Sequence, residues 1–138
     1  LYAQVAFTSQ TGVGSLVTED FTGFTGAGFS PTPSAGQLNS NEFRARGFSA
    51  GNMAWGATEA SGDFARGTSG GGVTRGGIYA FDVNNGGGVN RALGVQANGN
   101  DFTAGRLDWR IQNNTGSTID TIDIAYDIYV NNDQNRES

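Results

Sequence analysis

The chain contains no cysteine, no histidine and no lysine, and its 138 residues include only two prolines. Without Cys and His, the usual zinc, iron and copper sites have no ligands, which leaves oxygen donors and hard cations such as calcium. The same gap removes Ser–His and Cys–His nucleophile pairs. Lack of disulfides does not exclude an extracellular bacterial setting. No run approaches the ~20 apolar residues of a membrane helix, so membrane insertion is not expected. Basic charge is also scarce: all eight basic residues are Arg, and the formal net charge is −5. A nucleic-acid partner needs a basic face and is not expected.

What remains is a chain rich in glycine and aromatics. Hydrophobic residues make up 36%, with nine Phe, four Tyr and two Trp, enough to build a core in a chain of single-domain length. The 23 glycines weaken helices and suit a protein of short strands and many turns. We read residues 1–138 as one all-β domain, an antiparallel β-sandwich. Leu1-Tyr2-Ala3-Gln4 reads equally as the tail of a secretory signal peptide, with Ala3 before the cut, or as a plain N-terminus.

Strict period-two alternation is clearest near the end. Ile122, Ile124, Tyr126, Ile128 and Val130 alternate with Asp123, Ala125, Asp127 and Tyr129. Upstream, Leu107, Trp109 and Ile111 alternate with Arg106, Asp108, Arg110 and Gln112. Asn113-Asn114-Thr115-Gly116-Ser117 lies between them and has turn chemistry. This pattern predicts an antiparallel hairpin of residues 106–112 and 118–130, its apolar face in the core. Arg106 and Arg110 would then meet Asp123 and Asp127 on the polar face. Ile124→Asp would unfold such a domain.

Residues 76–83 and 91–97 predict a second hairpin, and residues 42–48 a weaker strand. Residues 52–57 and 16–21 are further candidates. Residues 30–36 read as a loop because of Pro31 and Pro33. The glycine run at 67–72 lacks the lysine and the strand–loop–helix setting of a phosphate loop, and Asn113-Asn114-Thr115 marks an exposed turn.

Several phrases, in order, carry a resemblance: Glu19-Asp20-Phe21 with the Gly-rich stretch after it, Ser30-Pro31-Thr32-Pro33, Gly36-Gln37-Leu38, Ser61-Gly62-Asp63-Phe64-Ala65-Arg66-Gly67, Gly77-Ile78-Tyr79-Ala80-Phe81, Arg91-Ala92-Leu93-Gly94, Ile111-Gln112-Asn113-Asn114-Thr115-Gly116 and Ile124-Ala125-Tyr126-Asp127. The chain resembles the jelly-roll-like domains near the N-termini of large secreted proteins of Bacteroidota and related bacteria. That resemblance implies an extracellular or cell-surface, non-catalytic module of a multidomain protein. It also implies further strands after Arg136, so the domain is expected to lack its C-terminal strands and to self-associate through open sheet edges.

The candidate sites follow from the residue types present. Asp63, Asp82, Asp101 and Glu59 lie near turns, but nothing in their spacing pairs them as a glycosidase would require. No enzyme is expected. For sugar stacking the candidates are Trp55 and Tyr129, the latter on the polar side of its alternation; Trp109 and Tyr126 fall on the core side. The Asp/Asn-rich loops 82–90, 98–101 and 131–135 could supply calcium with oxygens, though turn chemistry accounts for them better. Glu19 and Asp20 are candidate ligands by resemblance to carbohydrate-binding jelly rolls. No cofactor is required; a calcium ion would be structural. The expected function is carbohydrate binding or adhesion, with a glycan as partner. The alternative is a structural, assembling part of a surface layer or filament, with a neighbouring protein chain as partner.

Overall fold

The computed structural model describes the backbone of residues 5–7 and all of residues 17–83 and 90–130. The expectations for residues 1–4, for the tip of the second hairpin and for the loop 131–135 lie outside the described residues. Among the described residues nine short strands carry the fold: β1 (Val5–Phe7), β2 (Phe29–Ser30), β3 (Leu38–Asn39), β4 (Phe43–Arg46), β5 (Thr68–Ser69), β6 (Gly77–Asp82), β7 (Arg91–Gln96), β8 (Arg106–Trp109) and β9 (Ile111–Asn113). The one helical element among the described residues is a 3-10 turn at Gly62–Phe64. The protein is all-β. Among those residues no helix is long and apolar enough to cross a membrane.

The strands form four small sheets. β5, β6 and β7 make a three-stranded sheet, and the other strands pair as β1–β9, β2–β3 and β4–β8. The predicted second hairpin forms: β6 and β7 run antiparallel from Gly77 opposite Gln96 to Asp82 opposite Arg91. Val83 N–H donates to the Asn90 carbonyl at 2.9 Å where the hairpin closes. The weaker strand prediction also holds as β4, whose Phe43 and Ala45 are buried while Arg44 and Arg46 face outward. That alternation is what one-sided burial requires.

The core is phenylalanine-rich. Phe24, Phe29, Phe43, Phe48 and Phe64 are buried with Leu38, Met53 and Ile78. Phe48 packs edge-on to Phe64, ring centres 5.4 Å apart, and against Phe102 at 5.6 Å. Glycine lets backbones meet at one critical place. Gly28 sits at φ +93, where a Cβ would lie 2.0 Å from the Glu59 carbonyl oxygen. The bridge it permits joins Phe29 to Glu59 through both N–H···O bonds, at 2.8 and 2.9 Å.

The predicted C-terminal hairpin does not form. β8 pairs antiparallel with β4, Phe43 opposite Trp109 and Arg46 opposite Arg106. Residues 118–130 have no regular structure. Their apolar side chains are in water, with Ile124 64% and Tyr126 76% exposed, and Leu107 and Trp109 are each 39% exposed. The expected core placement of Leu107, Trp109, Ile122, Ile124, Tyr126 and Ile128 is therefore corrected, and Ile124→Asp should leave the fold intact. A strand needs a ladder partner as well as an alternating face, and β4 is where β8 finds it. Arg106 accordingly lies near Asp108, 3.8 Å away, rather than near Asp127. Residues 52–57 and 17–21 also contain no strand.

Candidate functional site

Strand alternation places Arg44 and Arg46 of β4 and Arg106 and Asp108 of β8 on the outward face of one two-stranded sheet. Arg44 opposes Asp108 in the ladder. Its Nη2 and Nε donate to Asp108 Oδ2 at 2.7 and 2.9 Å, and Arg46 Nη2 reaches the same oxygen at 3.2 Å. Burial pushes the Asp108 carboxyl up, but hydrogen bonds from Arg44 and Arg46, with their charges, outweigh it and hold it below its ordinary value.

Trp55 stands over this face. The guanidinium carbons of Arg44 and Arg110 each lie 4.4 Å from the centre of its ring, within cation–π range. Arg110 also donates through Nε to the Asn41 carbonyl at 3.0 Å, and its backbone N–H bonds to Glu42 O at 2.8 Å. The indole is half-buried. The result is an aromatic ring, four guanidinium groups and a carboxylate within one patch of an otherwise acidic chain.

The other sugar candidate is elsewhere. Tyr129 is 43% exposed in the irregular segment 118–130, and no ring contact or hydrogen bond joins it to Trp55 among the described residues. Trp109, expected in the core, is instead a partly exposed ring stacked parallel on Phe43 at 6.2 Å.

Glu19 and Asp20 serve a turn. Glu19 Oε1 accepts from Phe21 N–H and Asp20 Oδ1 from Thr22 N–H, both at 2.9 Å. Hydrogen bonds from the Thr22 backbone and then its hydroxyl hold the Asp20 carboxyl below its ordinary value. These bonds brace Phe21, whose φ of 54 is unusual for a bulky residue, against Phe43. Among the described residues no three acidic side chains come together as a metal site would need.

Glu19 also lines a cleft of about 360 Å³ with Phe24, Leu38, Asn39, Glu42 and Phe43. Burial, opposed by a hydrogen bond from Asn39 and reinforced by the nearby Glu19 charge, raises the Glu42 carboxyl above its ordinary value of 4.5. A raised carboxyl favours its protonated form in the fold, so its stabilising contribution is full below 4.5 and is lost as pH rises through the folded value. Glu42→Gln should therefore raise the melting temperature at pH 7 and leave it unchanged at low pH. The gain should be under about 1 kcal/mol, since water screens a half-exposed group. Paired thermal melts at the two pH values check this.

Two of the four turn carboxylates do converge. Asp63 and Asp101 are both buried and both reach Ser49: its hydroxyl donates to Asp63 Oδ2 and its N–H to Asp101 Oδ1, each at 2.9 Å. Asp63 also receives Ala50 N–H at 2.8 Å and pairs with Arg66. The bond from the Ser49 backbone N–H is the leading cause holding Asp101 below its ordinary value. Bonded in this way, the two carboxylates tie the 48–51 turn to the 3-10 turn and to the 98–101 loop. Asp82 pairs with Arg91 at 3.3 Å across the β6–β7 ladder, and Glu59 holds the bridge to Phe29 through its backbone.

The residues that sequence reasoning passed over are Arg44, Arg46 and Arg110. Their signal was the alternation of Arg in 42–48 and of Arg and Asp in 106–110, which marks two polar strand faces. No family model, curated protein or solved structure matches the chain.

Proposed function

We propose that this chain is a non-catalytic carbohydrate-binding or adhesion module of a larger secreted or cell-surface protein, its small sheets arranged as a jelly-roll-like β-sandwich. The observation that carries this reading is the patch around Trp55. An indole flanked by Arg44 and Arg110, with Asp108 and Arg46 beside it, combines an apolar ring with planar donors and a carboxylate acceptor. That combination suits a polar sugar: the ring holds the guanidinium planes of Arg44 and Arg110 in place, and hydroxyls or acidic groups of the glycan bond these and the carboxylate. Three arginines against one aspartate in the ladder favour a glycan bearing carboxylate or sulfate, because guanidinium binds such groups bidentately.

The test is titration calorimetry with a uronic-acid polymer, a sulfated polysaccharide and a neutral glucan. Binding to one of the acidic polymers is expected, with Trp55→Ala weakening it roughly tenfold, an effect of about 1.4 kcal/mol. Circular dichroism melts of the variant separate lost binding from lost fold. Absence of binding to all three polymers, or unchanged affinity in a folded Trp55→Ala variant, would overturn the reading.

A further inference from the structure

We infer that residues 118–130 are a strand-donating arm that pairs with the outer edge of β8 in a second copy of this chain. Three observations carry this. The arm alternates strictly, yet it is irregular and its apolar row is exposed: Ile122 54%, Ile124 64%, Tyr126 76%, Ile128 75% and Val130 87%. Among the described residues β8 has β4 as its single partner, and its other edge pairs with none of them. β8 also carries two partly exposed apolar side chains, Leu107 and Trp109, on the face opposite its charges. Open edges and exposed apolar rows of this kind are what added strands satisfy.

Register decides between the arm's own β8 and a neighbour's. The turn at 113–117 is closed by Asn113 Nδ2 donating to the Ser117 carbonyl at 2.8 Å. A hairpin folding back from this turn sets Thr118 opposite Asn113, and therefore Asp123 opposite Asp108. Like charges directly opposite are destabilising. The return would also have to run along β9, which already has β1 as ladder partner. An arm from a second copy is free of that tether and can pair along β8 alone, through residues 124–127, without meeting β9. Shifted by two residues, it sets Asp127 opposite Arg106 and Ala125 opposite Asp108 on the charged face. On the other face Tyr126 meets Leu107 and Ile124 meets Trp109. Both faces of the added strand are then matched, and Arg106, 59% exposed at its side chain, gains a carboxylate.

Sedimentation of charge-swapped chains tests this. Wild type should pass from monomer to larger species as concentration rises. Asp127→Arg alone and Arg106→Asp alone should each associate roughly tenfold more weakly, because each puts like charges across the new ladder. Mixed together, the two variants should associate again, since each arm finds an opposite charge on the other chain. Both substituted positions are exposed, so folding is unaffected, which a thermal melt verifies. A wild type that stays monomeric at every concentration, singles that associate like wild type, or a mixture that fails to recover would overturn the proposal.

Discussion

Asp63→Ala is expected to lower the stability of the domain by about 3–5 kcal/mol, the range for breaking a buried ion pair by removing one partner. The substitution strips three donors of their acceptor at once: the Arg66 guanidinium, the Ser49 hydroxyl at 2.9 Å and the Ala50 N–H at 2.8 Å. Arg66 keeps a bond from Nε to the Gly76 carbonyl at 2.9 Å, but its charge is left without a counterion in a site 11% exposed. Against a total of about 5–15 kcal/mol, a loss of this size brings the domain to the edge of unfolding. Asp63→Asn retains an acceptor for Ala50 and should fall between the two. Urea melts of the three proteins check the order, and a midpoint for Asp63→Ala within error of wild type would show that the pair contributes nothing.

Gly28→Ala should be at least as damaging, through the backbone alone. At φ +93 an L side chain is strained, and the new Cβ would stand 2.0 Å from the Glu59 oxygen and 2.9 Å from Ala60 Cα. Both obstacles are main chain and cannot swing aside, so the two segments must part. That movement breaks the paired Phe29–Glu59 bonds and loosens the Leu38 N–H bond to the Gly28 carbonyl at 3.0 Å. Phe29, fully buried between them, loses its packing. The combined cost should exceed about 3 kcal/mol, from backbone strain together with the broken bonds. Gly99→Ala is the matched control, because a Cβ there meets nothing within 4 Å. It should stay within about 0.5 kcal/mol of wild type. Equal melting temperatures for the two variants would remove the close approach at Gly28 from the account.

Both predictions rest on contacts between residues far apart in the chain, and this is where reading the sequence stopped. Composition and alternation determined that the protein is all-β, that residues 43–46 present Phe43 and Ala45 to one side and two arginines to the other, and that β6 and β7 form a hairpin. These features are local: a period of two, a turn of known chemistry, a proline pair at 31 and 33. The partner of β8 is not local. Its alternation reports that one face prefers burial without specifying what buries it, and two segments of matching pattern, 43–46 and 118–130, were candidates to pair with it. Tertiary structure decided for β4, with Arg44 on Asp108 and Phe43 against Trp109, and left the better-patterned segment exposed. The same holds for the candidate site. Trp55 was visible as a residue type, but the guanidinium groups on its ring come from positions 44 and 110, and a fold is needed to bring them there. Asp63 and Asp101, thirty-eight residues apart, meet at Ser49 because loop closure in three dimensions carries no signature in one-dimensional spacing.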